Sequence, residues 1–175
     1  MLRADALKLD FSPKEKNGHT YQGVGMPNDL VKNFLHEELG KAVGAPIVAA
    51  NSFFRLSKAG EETPHWIHID NGEARWAAVY YLTPSHPIGD GTKFWRSIEL
   101  GSDYAPESIN QHVADYLNSV ANDHSKFEGD DFVQGRFNRL ISYPTRRFHS
   151  RFPKTSSGLT NEDGRLIWCC FYNLA

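Results

Sequence analysis

Cysteine is scarce in this chain, and long apolar runs are missing from it. The only two cysteines among 175 residues, Cys169 and Cys170, are adjacent in an apolar run, and neighbouring side chains of a strand point to opposite faces. We therefore expect no structural disulfide, and the composition suits a reducing compartment, the cytoplasm. No apolar run approaches the roughly 20 residues that a transmembrane helix needs.

A charge excess of either sign is also absent. The formal net charge is -2 and 23% of the residues are charged, so the chain lacks the basic excess that would hold a nucleic-acid backbone or an anionic membrane. The first residues, MLRADALKLDF, interrupt apolar with charged side chains, whereas a signal peptide has a continuous apolar region. We expect neither a nucleic-acid nor a membrane partner, and these patterns do not determine an oligomeric state.

The chain has the length of a single domain and contains two kinds of pattern. Residues 1–44 contain a polar, glycine-bearing stretch and then DLVKNFLHEELGKAV, whose apolar residues recur at helical spacing after the capping residue Asn28. From Ala45 onward the apolar segments are short and rich in aromatic and β-branched residues. We predict an N-terminal helical or irregular extension, residues 1–44, and a β-strand core, residues 45–175.

The core contains several segments with the composition of strands and one with that of a helix. The helix lies at about residues 107–123, because the apolar residues between Ser108 and Asp123 share one face. Many short strands in one domain, with two helices packed outside, predict a mainly β fold, either a β-sandwich or a double-sheet jelly roll. The predicted strands are PIVAANSFFRLS, WIHID, RWAAVYYLT, TKFWRSIEL, FNRLISYP, RRFHSRF and RLIWCCFYNL.

The segment HWIHID contains a His-x-Asp triplet that ends at Asp70. With eight histidines and eleven aspartates in the chain, about 0.5 such triplets arise by chance, so the triplet alone has little weight. In a strand, however, His68 and Asp70 would project to one face, and an imidazole and a carboxylate would converge. They would supply two ligands of a 2-His-1-carboxylate site, which is typical of non-haem Fe(II) oxygenases.

His149 is the best candidate for the third ligand, because it follows the strand-like FNRLISYP far downstream of the triplet. The alternative for His149 is a half-buried histidine bonded to the backbone. His65 would face the other side of a regular strand, which suits a substrate-side or structural role. The remaining histidines lie in the N-terminal region, in a turn flanked by prolines, or on or beside the inserted helix: His19, His36, His86, His112 and His124.

Five segments follow one another in a characteristic order: FFRLSKAGEETPHWIHID, RWAAVYYLTP, GDGTKFWR, FNRLISYPTRRFHS and GRLIWCCFYN. In this order they resemble the Fe(II)- and 2-oxoglutarate-dependent dioxygenases, in particular the small prolyl-4-hydroxylase-like members. The resemblance implies a double-stranded β-helix, a form of jelly roll, with packed N-terminal and inserted α-helices. Independently of it, the two glycines of GDGT suit a hairpin turn.

The resemblance also implies the residues of the site. His68, Asp70 and His149 would bind Fe(II) and form the catalytic centre, with 2-oxoglutarate and O2 as cosubstrates. The hydroxyl group of Tyr81, in AVYYLT, would assist the binding of 2-oxoglutarate. Its neighbour Tyr80 should then point to the other face of the strand.

The distal carboxylate of 2-oxoglutarate needs a cation, and the resemblance assigns this role to Arg165, which opens the last strand. A guanidinium group offers a carboxylate a planar, bidentate fork, which supports the assignment. Arg151 is the competitor, although its position suits a contact with substrate or solvent better. In another interpretation, Arg165 pairs with Glu162 or Asp163 in the preceding turn.

The implied activity is hydroxylation of an unactivated C–H bond of a peptide side chain or an amino-acid-like small molecule, with release of succinate and CO2. Two alternatives stay open: a cupin-like metalloenzyme that does not use 2-oxoglutarate, and a non-catalytic jelly-roll module with a binding or structural role. The chain departs from the family where relatives often have a tyrosine, since Arg55, Ser57 or Lys58 stands there. The aromatic residues that could wall a pocket, but are expected mainly in the sheet core, are Trp66, Phe94, Trp95 and Trp168.

Overall fold

The computed structural model of the chain describes residues 2–16, 19–61, 63, 65–70 and 72–175. These residues form three α-helices and nine β-strands, and a short 3-10 helix, His124–Lys126, precedes the sixth strand. The elements in chain order are α1 (Leu2–Ala6), β1 (Ser12–Lys16), β2 (His19–Gly25), α2 (Asp29–Val43), β3 (Ile47–Ser57), β4 (Trp76–Tyr81), β5 (Gly91–Ser97), α3 (Gln111–Val120), β6 (Phe127–Gln134), β7 (Leu140–Pro144), β8 (His149–Phe152) and β9 (Arg165–Leu174).

The nine strands form two sheets. The larger sheet has six strands in the order β1-β2-β3-β9-β4-β7, and the smaller has three in the order β6-β5-β8. Every pairing between these strands is antiparallel. The prediction of a mainly β fold with few helices is therefore confirmed.

One face of the larger sheet packs against the N-terminal helices. Trp168 and Cys170 of β9 are buried there in a cluster that includes Leu35 and Leu39 of α2 and Ala6 of α1. Side chains two apart in a strand share a face, so the period-two pattern of β9 places Trp168 on the helix side. Trp168 therefore belongs to the sheet core, as expected for most of these aromatic residues, and not to the face toward the smaller sheet.

The other face of the larger sheet packs against the smaller sheet. Tyr81 of β4, Tyr143 of β7 and Ile167 of β9 are buried in one cluster with Phe94 of β5. Cys169 packs against this inner cluster, on the opposite face of β9 from Cys170, and both cysteines are free thiols. The space between the two sheets is thus lined by inward-facing residues of both.

A third cluster joins the smaller sheet to α3. Trp66 and Trp95 are buried in it with Val120 of α3, and their ring centroids lie 5.6 Å apart in an edge-to-face arrangement. Trp66 Nε1 also donates a hydrogen bond to the backbone oxygen of Arg151 at 2.7 Å. Because Trp66 lies only two residues before His68, this packing anchors the triplet against the smaller sheet.

The two longer helices have the ends that their sequences indicate. Asn28 accepts a hydrogen bond from the backbone N–H of Val31 at 3.0 Å, and α2 ends at Gly44, whose φ of 76° is left-handed. The second predicted helix is shorter than the expected span of 107–123 and follows its own capping residue, Asn110. No helix within the described part of the chain is long and apolar enough to cross a membrane.

The sequence pattern did not predict three of the strands. β1 and β2 lie within residues 1–44, a segment predicted to be helical or irregular, and extend the edge of the larger sheet. β6 lies at an edge of the smaller sheet and exposes most of its side chains. β1 and β6 are mostly polar and β2 is interrupted by two glycines, so their sequences lack the apolar alternation by which a strand is recognised.

Candidate metal centre

The predicted strand WIHID forms only a single β-bridge, between His68 and His149, so the strand prediction for this segment is wrong. The two residues exchange backbone hydrogen bonds of 3.0 and 2.9 Å, and the N–H of Asp70 donates to the oxygen of Thr145 at 2.9 Å. These contacts lay the triplet alongside the start of β8 in place of a continuous strand. They bring together the three predicted ligands.

His68, Asp70 and His149 form the one group of at least three potential metal ligands found among the described residues. One donor atom from each lies within 4.8 Å of the others. His149 Nε2 is 3.3 Å from Asp70 Oδ2, His68 Nε2 is 3.9 Å from Asp70 Oδ1, and the two imidazole centroids are 4.5 Å apart. The group can therefore hold one metal ion, and its three ligands are two imidazoles and a carboxylate.

Backbone carbonyl groups orient both imidazoles. His68 Nδ1 lies 3.1 Å from the oxygen of Trp66, and His149 Nδ1 lies 2.8 Å from the oxygen of Arg147. A carbonyl only accepts hydrogen bonds, so Nδ1 must carry the proton in each ring. The lone pair of each neutral ring is then at Nε2, the nitrogen that faces Asp70, and this is the usual arrangement of a metal-binding histidine.

The charges at the centre favour a bound cation. Burial lowers the pKa of His68 and of His149 to about 4, so both rings are neutral and able to bind metal at pH 7. Burial raises the pKa of Asp70 to about 6, and its Oδ2 atom is buried without a hydrogen-bond partner. An ionised, unpaired carboxylate is costly in such a place, and a divalent cation would compensate it. The residues present fit a metal ion.

The other predicted ligand candidates do not join this group. His65 lies three residues before His68 and is not among the clustered donors of the described residues. His36 Nε2 is 2.9 Å from the hydroxyl group of Ser52, on the α2 side of the larger sheet. His86 is buried in contact with the ring of Tyr81, and its Nδ1 lies 3.5 Å from Asp90 Oδ1.

Arg165 lies at the start of β9 and is buried, with 5% of its surface exposed. Its Nε donates to Asp90 Oδ1 at 3.1 Å, and its Nη2 donates to the backbone oxygen of Gly91 at 3.2 Å. The partner of Arg165 is thus Asp90 of the GDGT turn, and the interpretation that Arg165 pairs with Glu162 or Asp163 is wrong. The local sequence could not predict this partner, because the ion pair joins two residues that are 75 positions apart in the chain.

The structure separates the two adjacent tyrosines. Tyr81 is fully buried on the inner face, its hydroxyl group is 2.6 Å from Thr92 Oγ1, and its ring lies 5.5 Å from the guanidinium carbon of Arg165. Tyr80 lies on the opposite face, where its hydroxyl group donates to Asn138 Oδ1 at 3.0 Å. Tyr81 is therefore the tyrosine that accompanies Arg165.

A family model described as "Family of unknown function (DUF6445)" matches residues 10–172 of the chain. The chain belongs to the DUF6445 family. No curated protein matches this DUF6445 sequence.

Two solved structures share the fold of this DUF6445 chain. EvdMO1 is similar with a TM-score of 0.56 and 14% sequence identity, over 95% of this chain and 39% of the EvdMO1 chain. AviO1 from Streptomyces viridochromogenes Tue57 is similar with a TM-score of 0.50 and 15% identity, over 93% of this chain and 72% of the AviO1 chain. The DUF6445 chain thus spans well under half the length of EvdMO1, and at these identities the likeness concerns the fold alone.

Sequence reasoning missed Asp90 and His86 as parts of the inner space. Both side chains are buried, and His86 Nδ1 lies 3.5 Å from Asp90 Oδ1. Burial alone would raise the pKa of Asp90, but the interaction with His86 and the charge of Arg165 outweigh it and lower the pKa. The pattern GDGT indicates a turn, but it does not indicate that the carboxylate of Asp90 points toward the space between the sheets.

Two further arginines lie near the centre. Arg151 of β8 donates to Ser156 Oγ at 3.0 Å and to Thr63 Oγ1 at 3.2 Å, and burial lowers its pKa to about 10. Its guanidinium group is therefore held by loop residues. Arg55 of β3 is half-buried beside Ile167 of β9.

An open cleft of about 820 Å³ adjoins the carboxylate of Asp70. Its walls come from three segments that converge beside the triplet, at residues 72–76, 104–109 and 144–146. Aromatic rings and charges of both signs line it, with Trp76 and Tyr104 among the former and Arg75 and Glu107 among the latter. A cleft of this size can hold a small molecule beside Asp70.

Proposed function

We propose that this DUF6445 member is an Fe(II)- and 2-oxoglutarate-dependent oxygenase that hydroxylates an unactivated C–H bond of a peptide side chain or an amino-acid-like small molecule. The observation that carries the proposal is the convergence of His68, Asp70 and His149, with both imidazoles neutral and oriented through Nδ1. Two imidazoles and one carboxylate on one side of a metal leave its other positions open for a cosubstrate and O2.

The sheet order supports a double-stranded β-helix as the fold. Strands β3-β9-β4-β7 of the larger sheet face β6-β5-β8 of the smaller, and the bridge between His68 and His149 places the triplet as a fourth member beside β8. Two four-membered antiparallel layers with the ligands at one edge are what a double-sheet jelly roll requires. The expected core of the family therefore corresponds to residues from β3 onward.

The chain's own residues would carry distinct parts of the reaction. His68, Asp70 and His149 would hold Fe(II), and their carbonyl partners fix the rings before the metal arrives. The chemistry that Fe(II) with 2-oxoglutarate supplies when bound is oxidative decarboxylation by O2, which yields succinate and CO2 and hydroxylates a C–H bond. The buried cluster around Tyr81 and Ile167 would exclude water from the inner end of the cosubstrate.

The cleft beside Asp70 supports a peptide or amino-acid-like substrate. Arg146 in its wall donates through Nε to the backbone oxygen of Ala105 at 3.0 Å and lies 3.4 Å from Glu107, so this wall is braced. Aromatic rings and charges of both signs suit a molecule that carries ammonium, carboxylate and apolar parts together. The cleft would orient the reacting carbon toward the metal.

The test is anaerobic addition of Fe(II) and 2-oxoglutarate, monitored by the weak visible charge-transfer band of the chelate. The wild-type protein should develop the band, and His149→Ala should abolish it. His112→Ala is the matched control, since His112 is exposed on α3 away from the ligands. A band that survives in His149→Ala, or no band in the wild type, would contradict the proposal.

The ion pair between Arg165 and Asp90 favours a second candidate, a cupin-like metalloenzyme that does not use 2-oxoglutarate. The resemblance assigns Arg165 to the distal carboxylate of 2-oxoglutarate, but the carboxylate of Asp90 already forms an ion pair with this arginine. In that case the wild-type protein binds Fe(II), and the metal affinity depends on His149, but 2-oxoglutarate leaves the absorption spectrum unchanged. A wild-type protein that binds no metal would instead favour a non-catalytic module.

A further inference from the structure

Three arginines lie around the inner space, and they differ in whether a carboxylate lies close to them. Arg165 is 3.1 Å from Asp90, and Arg151 is 3.9 Å from Glu61, so each of these guanidinium groups has a carboxylate close to it. Arg55 has no hydrogen bond or ion pair among the residues that the structure describes, although it is half-buried. Among the described residues, Arg55 is thus the one of these three arginines that has no carboxylate within 4 Å.

The strand register places Arg55 beside the proposed cosubstrate space. Arg55 of β3 is paired with Ile167 of β9, and Ile167 is also paired with Tyr81 of β4, so the three side chains form one row on the inner face. The next row contains Ser57, paired with Arg165. Arg55 and Arg165 are therefore diagonal neighbours on one face, with backbones roughly 7–8 Å apart.

Arg55 also shares the inner face with the buried ion pair. The ring of Tyr81, in the same row as Arg55, lies 5.5 Å from the guanidinium carbon of Arg165, and Arg165 in turn donates to Asp90. Arg55 is thus a partly buried cation on the inner face next to this group. A partly desolvated cation without a counter-ion is unfavourable, and a bound anion between these groups would relieve the cost.

We propose that Arg55 binds the distal carboxylate of the 2-oxo acid, while the ion pair of Arg165 with Asp90 closes the inner end of the pocket and positions that carboxylate. This inference rests on the proposed function and adds a residue to it. A single carboxylate would give Arg55 the ion-pair partner that it lacks among the described residues, whereas Arg165 already donates two of its N–H groups to Asp90 and Gly91. The proposed cosubstrate space between the two sheets therefore selects a dicarboxylic 2-oxo acid through the guanidinium group of Arg55 on β3.

The experiment compares two ligands that differ only in the distal carboxylate, 2-oxoglutarate and 2-oxopentanoate. Their dissociation constants are measured anaerobically with the Fe(II) protein by the charge-transfer band, for the wild type, Arg55→Gln and Arg55→Lys. Arg136→Gln is the matched control, because Arg136 is exposed on the loop before β7. Binding of 2-oxopentanoate reports on folding and on the metal centre independently of the distal carboxylate.

In the wild type and in Arg136→Gln, 2-oxoglutarate should bind more tightly than 2-oxopentanoate. Arg55→Gln should weaken 2-oxoglutarate binding by about 10- to 100-fold, the usual effect of losing a charge-assisted hydrogen bond, and leave 2-oxopentanoate unchanged. Arg55→Lys should restore part of the affinity. Unchanged 2-oxoglutarate affinity in Arg55→Gln, or an equal loss for both ligands, would overturn the role of Arg55 and leave the proposed function intact. A wild-type Fe(II) protein that binds neither acid would overturn both proposals.

Discussion

His68 and His149 exchange two backbone hydrogen bonds, of 3.0 and 2.9 Å, and thereby face each other with their ring centroids 4.5 Å apart. The bridge couples the loop that carries the triplet to the first residue of β8. Asp70 is fixed by its own backbone bond to Thr145. The ligand geometry is thus set by main-chain contacts before any metal binds, and this pre-organisation underlies the predictions below.

Asp70→Asn should raise the stability of the metal-free protein and weaken metal binding strongly. The pKa of Asp70 is raised from 3.8 to about 6 by burial, so its ionisation at neutral pH opposes folding and stability from this group is lost as pH rises through about 6. Removing the unpaired charge should increase the free energy of unfolding at pH 7.5 by about 1–3 kcal/mol, measured by denaturant titration. Calorimetric Fe(II) titration should show a loss of at least about 100-fold in affinity. A less stable Asp70→Asn protein would contradict this account.

Metal affinity should depend on pH through one carboxylate. His68 and His149, with pKa values of about 4, are already neutral at pH 6, whereas Asp70, with a pKa of about 6, must lose a proton to bind metal. The apparent affinity should be flat above about pH 6.5 and fall about tenfold per pH unit below pH 6. Anaerobic Fe(II) titrations between pH 5 and 8 measure the slope. A break near pH 6.5 with a slope of two would indicate two ordinary histidines instead.

Asp90→Asn should destabilise the protein strongly, because it leaves Arg165 buried without a counter-ion. Both side chains are about 5% exposed, and breaking a buried ion pair by removing one partner costs about 3–5 kcal/mol. The matched control is Glu107→Gln, which removes the 92% exposed partner of Arg146 and should change stability by less than about 1 kcal/mol. Urea unfolding of the two variants measures the difference. Equal effects would show that the buried pair contributes no more than the exposed one.

Tyr81→Phe and Tyr80→Phe should behave differently, although the residues are adjacent. Tyr81→Phe removes a buried hydroxyl group 2.6 Å from Thr92 Oγ1 and should cost about 1 kcal/mol of stability, together with weaker 2-oxoglutarate binding. Tyr80→Phe removes a half-exposed hydrogen bond to Asn138 on the other face and should leave 2-oxoglutarate affinity unchanged. Thermal unfolding and the anaerobic binding assay test the pair. A larger effect of Tyr80→Phe on ligand binding would reverse the assignment.

Local patterns were sufficient for much of the fold. The core strands from β3 onward, apart from β6, and the helix α2 were predicted, because alternating burial and helical spacing are properties of neighbouring residues. The prediction of a strand at WIHID was wrong for the same reason, since the composition of this segment suits a strand but its backbone makes only one bridge. β1 and β6 lie at sheet edges and are mostly polar, and β2 is interrupted by Gly23 and Gly25, so none of the three carries such a pattern.

The sequence by itself determined the donor types of the site and their order along the chain: His68 and Asp70, then His149, then Arg165. Only the tertiary structure decided which charges compensate one another. Asp90 reaches Arg165 across 75 positions of chain, and Arg55 joins the same space through the pairing of β3 with β9. Such distant contacts depend on strand register and on which residues turn inward, and neither is encoded in the spacing of residues along one segment.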